Sequence, residues 1–479
     1  MIKFNKDELR DKINACWVGK NIGGTLGGPF EGVRKVLDCT GFTTEPGKPL
    51  PNDDLDLQLI WLTAMRELGP NNVNAQTLGE YWMEYITPFW NEYGICKANM
   101  LRGMLPPMCG QYKNHWKHSN GAWIRTEVWA TLYPGLVEKA IYYASEDACV
   151  DHGSGEGTYA AIFVAALESA AFIVSDIRQL IDIGLSKIPE NSRMYKYITT
   201  VVECYDKKMT WLETRNLITQ MSQDDKELGW FQSPANVGYV IIGLLYGEGD
   251  FKESMLIACN CGDDTDCSCS TVGSILGIIH GMSIIPKDWQ QYIGDDIITI
   301  SINMGAGPKY DNLFPYTCTD LTERIMDLHH ITLEYSDVKV CGENTDFGDF
   351  DAKSFMGNDF AMKLANRSEY YVTFNSILTD GIAELSGEPE IVPGGSIDVK
   401  ITLNLHWHSQ KVHNVRWLLP EGWTYTGPKS LSVMSWELPG VGEYTITAGD
   451  KVDSVNRIVA EITCDGHYET VYVPIVLCN

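Results

Sequence analysis

The side chains whose types and spacing most clearly indicate chemistry lie in residues 260–281, which read NCGDDTDCSCSTVGSILGIIHG. Asp263, Asp264 and Asp266 come first, and a segment of small and apolar residues follows them. Clustered carboxylates at the start of a buried helix are costly unless cations or hydrogen-bond donors neutralise them. The helix dipole offsets only about 0.3 to 1 kcal/mol per charge. The pattern therefore predicts a divalent cation at this helix start.

Two stretches carry glycine at every fourth position: Gly19, Gly23 and Gly27 in the first, and Gly273, Gly277 and Gly281 in the second. Residues four apart lie on the same face of a helix. Glycine inside a helix costs about 1 kcal/mol relative to alanine, so a face of glycines indicates that another backbone approaches closely. We predict that both stretches are buried helices. The first begins at Lys6, and Gly28 and Pro29 end it.

A second group of acids opens another predicted helix. Asn52 precedes Asp53 and Asp54, and the helix that follows has apolar residues along one side. Asn52 suits an N-cap and acids in a first turn suit the helix dipole, so this motif alone indicates ordinary capping. The other carboxylate-headed helix, at Asp264, shifts the balance towards a shared metal site. Glu31, in the loop after the first helix, is by itself typical of a solvated acid.

Residues 113–135 form a predicted long loop rich in Asn, Gly, His and Trp. Loops of this length inside a compact domain are usually functional. Within it, residues 120–125 read NGAWIR and offer a glycine turn with exposed amides, an aromatic plate in Trp123 and the guanidinium of Arg125. These groups suit a nucleotide-like ligand, although Trp123 is equally consistent with a core position.

His152 stands in the sequence DHGSG, ahead of a strongly apolar predicted helix over residues 157–174. This places the imidazole at a predicted helix entrance, where backbone N–H groups are free to bind an anion. A single histidine is usually a structural residue, and this position raises the expectation of a functional one.

In this order along the chain, the motifs resemble those of the ADP-ribosylglycohydrolase family, all-helical dinuclear-magnesium hydrolases that include dinitrogenase reductase-activating glycohydrolase. The resemblance covers most of residues 10–285. Residues 19–31 are similar to the family's opening glycine helix and its mobile glutamate, and Asn52-Asp53-Asp54 resembles its Thr-Asp-Asp metal motif. Residues 120–125 resemble its Asn-Gly-x-x-Met-Arg substrate loop, and Asp151-His152 its Thr-His pair. Asp264-Thr265-Asp266-Cys267 resembles the Asp-Thr-Asp-Thr signature, the most specific of these matches.

The resemblance implies a hydrolase that cleaves ADP-ribosyl or related ribosyl N- or O-glycosidic bonds. The substrate would be an ADP-ribosylated protein or a small ADP-ribosyl compound, and the cofactor Mg²⁺, with two ions expected and Mn²⁺ as a possible substitute. Glu31 would act as the catalytic base or orient the attacking water. The implied metal ligands are Asn52, Asp53, Asp54, Asp264, Asp266 and Cys267. The implied substrate-binding residues are Asn120, Gly121, Ala122, Arg125, His152, Gly153 and Ser154.

Three positions depart from the family pattern. The usual Gly-Asp of the first helix is Gly23-Gly24, and Asn52 replaces a threonine ligand that its amide oxygen could imitate. Cys267 replaces the final threonine, and a thiol is a poor magnesium ligand. The second metal position and activity on the family's usual substrates therefore depend most on Cys267.

Other interpretations start from the same residues. A non-catalytic relative would keep the fold and a metal ion but serve as a ligand-binding or structural protein, with metal binding and no turnover. A haloacid-dehalogenase-like phosphatase would need Asp264 and Asp266 directly after a β-strand of an α/β sheet, and the sequence shows no clear alternation of strands and helices. A zinc site could be drawn through Cys259, Cys261, Cys267 and Cys269. Their spacing is unlike C-x-x-C knuckles, and the acids between them prefer hard cations.

Composition argues against some classes of partner. Acidic residues outnumber basic ones by 63 to 37, for a formal net charge of -26, which disfavours binding to nucleic acid or to an anionic membrane. The charged N-terminus lacks the apolar segment of a signal peptide, and no run of about 18 apolar residues occurs. We therefore expect a cytoplasmic enzyme. Its 14 cysteines are scattered through apolar segments and are expected to be reduced, mostly buried thiols.

The sequence pattern changes near residue 330. Helical periodicity dominates before it, and we predict an all-α metal-dependent glycohydrolase domain over residues 1–330. After it, alternating apolar residues are separated by Gly and Pro turns, with the clearest runs at 396–404, 443–447 and 470–476. This pattern predicts an immunoglobulin-like β-sandwich over residues 369–479. Residues 331–368 would be a linker or a first strand.

Overall fold

The computed structural model describes residues 1–224, 228–302, 313–406, 409–434 and 438–479. These residues form two compact units. The first unit consists of Met1–Glu92 and His115–Ala365, and the second of Tyr93–Asn114 and Asn366–Asn479. The first is helical and the second is built from antiparallel sheets, so the predicted helical fold with an added β-sandwich is confirmed.

The α-helices are α1 Lys6–Gly27, α2 Asp53–Leu68, α3 Ala75–Tyr85, α4 Asn91–Leu101, α5 Met108–Gln111, α6 Glu127–Leu132, α7 Val137–His152, α8 Glu156–Ala171, α9 Ile177–Leu185, α10 Arg193–Asp206, α11 Trp211–Asp224, α12 Ser233–Tyr246, α13 Phe251–Asn260, α14 Thr265–His280, α15 Lys287–Ile293, α16 Cys318–Thr332 and α17 Asp359–Ala365. Short 3-10 helices cover Gly28–Phe30, Trp123–Arg125 and Gly229–Phe231, among others. Strands β1 Ile2–Asn5 and β2 Val338–Cys341 pair in parallel beside them.

Helices α1 and α14 form the centre of the helical unit and meet through their glycine faces. A Cβ added at Gly19 would lie 2.3 Å from the carbonyl oxygen of Gly273, and one at Gly23 would lie 2.2 Å from the backbone nitrogen of Ser270. The two predicted glycine-faced helices are therefore confirmed, and each supplies the backbone that the other requires. Helix α1 begins and ends at the predicted residues.

Two predicted local features are wrong. The segment predicted as one long loop contains a 3-10 helix at Trp123–Arg125 and the buried helix α6, because Trp123 and Trp129 draw this polar segment into the core. His152 is the last residue of α7 and does not stand at the entrance to the next helix. Gly153, with a φ of 53°, ends α7, and α8 begins only at Glu156.

The second unit contains two antiparallel sheets. Its strands are β3 Tyr371–Asn375, β4 Thr379–Leu385, β5 Ser396–Leu405, β6 Lys411–Leu418, β7 Thr424–Thr426, β8 Ser430–Val433, β9 Gly440–Thr447, β10 Val455–Cys464 and β11 Thr470–Cys478. One sheet has the order β11-β10-β6-β8 and the other β3-β4-β5-β9-β7. Inward residues of both sheets, such as Val399 and Ala460, share one apolar core, which also takes in Met108. This is the predicted sandwich.

Two further expectations concern the whole described chain. All 14 cysteines are free, and every one except Cys341 is buried, so the predicted burial of most thiols is confirmed. Among the described residues, no helix combines the length and apolar character needed to cross a bilayer.

Candidate metal centre

Three segments that are distant in sequence bring carboxylates together in the helical unit. They are the loop after α1, the first turn of α2 and the start of α14. Ligand atoms of Asp54, Asp266 and Cys267 lie within 4.8 Å of one another, and so do ligand atoms of Glu31, Asp264 and Asp266. Asp266 belongs to both groups, so the two form one acidic cluster with two neighbouring positions for a cation.

Backbone hydrogen bonds fix the Glu31 loop to the segment that precedes Asp264. The N–H of Gly32 donates to the carbonyl of Asp263 across 2.9 Å, and the N–H of Asp263 donates to the carbonyl of Val33 across 3.1 Å. Gly262 and Asp263 both adopt positive φ, and a Cβ at Gly262 would lie 2.3 Å from a carbonyl oxygen of this loop. The turn before α14 thus sets the place of Glu31.

The buried oxygens of the cluster fit a hard cation. Oδ2 of Asp54, Oδ1 of Asp264 and Oδ1 of Asp266 are buried and have no hydrogen-bond partner. A buried carboxylate oxygen without a partner is strongly disfavoured, and a divalent cation with a preference for oxygen ligands would satisfy those of Asp264 and Asp266. The residues present could therefore hold Mg²⁺ or Mn²⁺.

Crowding of negative charge also appears in the protonation of these groups. Burial raises the pKa of Asp54 and of Asp264 well above the usual range, and the carboxylate of Asp266 adds to both effects. Glu31 lies at the solvent-facing edge of the cluster. There the carboxylate of Asp266, partial burial and Asp53 raise the pKa of Glu31 to about 8.

Asn52 caps α2 and is tied to another departure from the family pattern. Its Oδ1 accepts the N–H of Asp54 across 2.8 Å, and its Nδ2 lies 3.5 Å from Oγ of Ser270. A Cβ at Gly24 would lie 1.9 Å from that Nδ2. The glycine at position 24 therefore makes room for the asparagine at position 52, and the two departures belong to one arrangement. The role of Asn52 as a metal ligand stays a prediction.

Asn120 reaches the cluster from the segment that resembles a substrate loop. Its Nδ2 donates to Oδ2 of Asp264 across 2.6 Å, while its Oδ1 accepts Nε1 of Trp123 across 3.1 Å. On the other side, Oδ1 of Asn236 accepts the backbone N–H of Asp264 across 3.1 Å. Sequence reasoning missed Asn236. Its position inside the otherwise apolar helix α12 was the signal that could have found it.

A buried lysine lies beside Asp54 of the cluster, and sequence reasoning missed it as well. Nζ of Lys20 lies 2.7 Å from Oε1 of Glu127 and 3.9 Å from Oδ2 of Asp54, and all three side chains are fully buried. Gln58 donates to the other oxygen of Glu127 across 2.8 Å. Burial lowers the pKa of Lys20, but Glu127 and Asp54 outweigh it and the net shift is upward, so Lys20 is an ammonium. The signal was a lysine between Gly19 and Gly23.

Arg125 is fully buried in an ion-pair network. Its Nη2 lies 2.8 Å from Oδ1 of Asp151 and 3.0 Å from Oδ1 of Asp147. Its Nη1 donates to the carbonyl of Gly121, and Ala122 is buried beside it. These contacts fix the shape of the loop that carries Asn120. Substrate binding by Asn120, Gly121, Ala122 and Arg125 stays a prediction.

His152 is buried in a line of hydrogen-bonding groups. Its Nδ1 lies 2.9 Å from Oδ1 of Asp151, and its Nε2 lies 3.0 Å from Oγ of Ser119. A Cβ at Gly157 would lie 2.1 Å from the imidazole ring, so that glycine makes room for it. Because Ser119 directly precedes Asn120, its contact with His152 helps to position the loop that carries Asn120. Substrate binding by His152, Gly153 and Ser154 stays a prediction.

A group of half-buried aromatic side chains adjoins the Glu31 loop. Trp230 lies 3.7 Å from the point where a Cβ of Gly32 would be. Its ring centroid is 5.1 Å from that of Phe231, which is 6.0 Å from that of Trp116. Partly exposed aromatic faces suit stacking against a planar base. No motif in the sequence points to these residues.

Two interpretations of the sequence do not survive this geometry. Asp264 follows the helix α13 and a short turn, whereas the phosphatase interpretation requires a strand before it. Among the described residues the four thiols considered for zinc do not form a group of metal ligands, and Cys267 is grouped with Asp54 and Asp266 instead. The oxygen-rich cluster is the candidate centre.

Comparison with known proteins identifies the family of this chain. The profile of the ADP-ribosylglycohydrolase family matches residues 5–312, which contain the whole acidic cluster. The chain therefore belongs to the ADP-ribosylglycohydrolase family.

Similarity to individual relatives and solved structures is limited to short segments or to low sequence identity. The ADP-ribosylarginine hydrolase Tri1 of Serratia proteamaculans (strain 568) is 40% identical over 58 residues, which are 11% of this chain and 16% of that relative. A FixG-related protein from Vibrio parahaemolyticus is similar at 11% identity and a TM-score of 0.19, over 21% of this chain and 94% of the other. The yeast GGA1 GAE domain gives 14% identity and a TM-score of 0.17, over 23% and 100% of the two chains.

Proposed function

We propose that this protein is a magnesium-dependent hydrolase that cleaves an ADP-ribosyl or closely related ribosyl N- or O-glycosidic bond. The observation that carries the proposal is the set of buried carboxylate oxygens without partners on Asp54, Asp264 and Asp266. These oxygens lie where the family motifs meet. They suit a hard divalent cation, and membership of the family supports glycosyl hydrolysis as the reaction.

The chain's own residues have separable roles in this proposal. Asp264 and Asp266 would hold the cation, with Asp53 and Asp54 completing the acidic cluster beside it, and the cation when bound polarises a water molecule or a ribose hydroxyl. Glu31, at the exposed edge, would accept a proton from the water that attacks the anomeric carbon.

The substrate class follows from the same region. The aromatic group of Trp116, Trp230 and Phe231 would stack against the base of an ADP-ribosyl group, next to the Glu31 loop. The short match to an ADP-ribosylarginine hydrolase supports arginine linkages as the first to assay. The substrate would be an ADP-ribosylated protein or a small ADP-ribosyl compound.

Calorimetric titration of the full chain with Mg²⁺ and Mn²⁺ tests the metal part of the proposal. We expect Asp264→Asn and Asp266→Asn to weaken binding strongly, since each removes an anionic oxygen ligand. Asp349→Asn is the matched control, because Asp349 is exposed and lies outside the cluster. Binding that is unchanged in both cluster variants would contradict the proposal.

Turnover is tested on a panel of ADP-ribosylated arginine peptides, ADP-ribosylated serine peptides and free ADP-ribosyl compounds. The proposal expects release of ADP-ribose from at least one member, lost on addition of a chelator. Metal binding with no turnover on any member would favour the non-catalytic relative.

A further inference from the structure

The two sides of the acidic cluster are not equivalent. On one side, Oδ1 of Asp54 accepts the thiol of Cys267 across 3.4 Å, and Oδ2 lies 3.9 Å from the ammonium of Lys20. On the other side, Asp264 and Asp266 each have a buried oxygen without a hydrogen-bond partner. Among the residues that the structure describes, neither of these two has an ion-pair partner. Among the described residues, a side-chain ammonium therefore lies on the Asp54 side alone.

Buried contacts hold Lys20 beside Asp54. Its side chain is fully buried, and its Nζ is held 2.7 Å from Glu127, which Gln58 also holds. The backbone around Lys20 is fixed too, since Gly19 and Gly23 pack directly on the backbone of α14. In a buried, weakly polarisable setting, an ammonium strongly opposes a second positive charge nearby. A divalent cation at Asp54 would meet this opposition.

The donor atoms on the Asp54 side are also poor for a hard cation. Cys267 offers sulfur, which hard cations such as Mg²⁺ and Mn²⁺ bind weakly. Asn52 directs its amide oxygen to the backbone N–H of Asp54, across 2.8 Å, as the cap of α2. The nearby ammonium and the poor ligand atoms therefore both disfavour a divalent cation beside Asp54.

We propose that the centre takes one divalent cation, held by Asp264 and Asp266, and that the ammonium of Lys20 and the thiol of Cys267 replace a second cation beside Asp54. The sequence resemblance led us to expect two ions. This inference rests on the proposed function for the presence of the first ion. Lys20 is a positioning residue in this arrangement, because it acts through the carboxylate of Asp54.

Manganese binding to the full chain tests the number of ions. Calorimetry and electron paramagnetic resonance of the wild type should show one tightly bound Mn²⁺ per chain, with the six-line spectrum of an isolated ion. Two ions about 3.5 to 4 Å apart would instead give a spin-coupled spectrum. Two tight ions with that coupled spectrum would overturn the inference, and so would the absence of any bound ion.

Removal of the lysine needs a partner substitution. Lys20→Met alone would leave the buried carboxylate of Glu127 without its ion-pair partner. The variant is therefore Lys20→Met/Glu127→Gln/Cys267→Thr, in which Gln58 can still form a hydrogen bond with the side chain at position 127. We expect this variant to bind a second Mn²⁺ at least tenfold more tightly than the wild type does. The control Glu127→Gln keeps Lys20 and should still bind one ion. Equal second-ion binding in the triple variant and the wild type would count against the inference.

The count of ions needs no substrate, so this inference and the proposed function fail separately. One Mn²⁺ per chain without turnover on any ADP-ribosyl compound would contradict the proposed function and leave the inference standing. Two coupled ions with turnover would do the reverse. Where the triple variant does not give a cooperative thermal transition, the wild-type count decides the question.

Discussion

Asn120 donates a hydrogen bond from Nδ2 to Oδ2 of Asp264 across 2.6 Å, and so joins two motifs that lie 144 residues apart in the chain. The oxygen that receives this bond belongs to a carboxylate whose other oxygen has no partner. Asn120 therefore determines which oxygen of Asp264 is available to a cation. The resemblance assigned Asn120 to substrate binding, and the geometry adds an orienting role.

We expect Asn120→Ala to weaken binding of Mn²⁺ by about 10- to 100-fold, the usual effect of removing a group that orients a metal ligand. Calorimetric titration measures it. Ser154→Ala is the control, since Ser154 is also a predicted substrate-binding residue but lies outside the acidic cluster. A contact used only for substrate would instead leave metal affinity unchanged in Asn120→Ala and raise KM.

For the loop acid, we expect Glu31→Gln to cut turnover by about 10²- to 10⁴-fold, the usual range for a lost acid–base group, with little change in metal affinity. Glutamine keeps the size and one acceptor oxygen but cannot take the proton. Steady-state rates on an active ADP-ribosyl compound, together with Mn²⁺ calorimetry, separate the two effects. Strongly reduced metal affinity would make Glu31 a ligand, which its distance to Asp264 and Asp266 allows.

Glu45→Gln provides the matched control for that experiment. Glu45 lies in the same connection between α1 and α2, but it is exposed and pairs with Lys48. Turnover should be close to wild type. A similar loss in both variants would indicate a general effect of charge in this loop and would remove Glu31 from the chemistry.

Local features of this fold were predictable from sequence because they depend on near neighbours. The bounds of α1 follow from glycine and proline at its end, and the cap of α2 follows from Asn52 before two acids. The glycine spacing also indicated close backbone contact. It did not indicate the partner, since nothing in either helix states that Gly19 meets Gly273.

Contacts between distant residues were not predictable from a single sequence. A lysine, a glutamate and a glutamine in three different helices form the support of Asp54, and no local pattern links Lys20, Gln58 and Glu127. The same holds for Arg125, whose partners Asp147 and Asp151 lie in α7. The polar residues around Trp123 predicted one long loop, because their burial in helical turns depends on these long-range pairs.

Replacing glycine by alanine should lower the free energy of unfolding at the contact between α1 and α14 and raise it at a position in α12. Gly273→Ala would place a Cβ 2.3 Å from the carbonyl oxygen of Gly19, where two helix backbones would have to separate, and we expect a loss of about 3 kcal/mol or more of unfolding free energy. In α12, the Cβ of Gly238→Ala would make ordinary contacts with Ile218 at 3.4 Å and Val201 at 3.8 Å, and the substitution should gain about 0.5 to 1 kcal/mol. Urea unfolding followed by circular dichroism measures both. Equal effects would contradict the close backbone contact.

Protonation of His329 should lower the free energy of unfolding of the helical unit as the pH falls below neutral. Its Nε2 donates to the carbonyl of Thr131 across 2.8 Å, its Nδ1 is buried without a partner, and burial lowers its pKa to about 4. An unfolded histidine has a pKa of about 6.5, so the contribution is complete above that pH and is lost as the pH falls towards 4, by about 2 kcal/mol between pH 7.5 and 5. His329→Gln keeps a donor for Thr131 but cannot titrate, and chemical unfolding at the two pH values should show a smaller difference for this variant. The control is His330→Gln, at the exposed neighbour on the same helix, which should keep the wild-type difference. An undiminished difference in His329→Gln would assign the pH dependence to other groups.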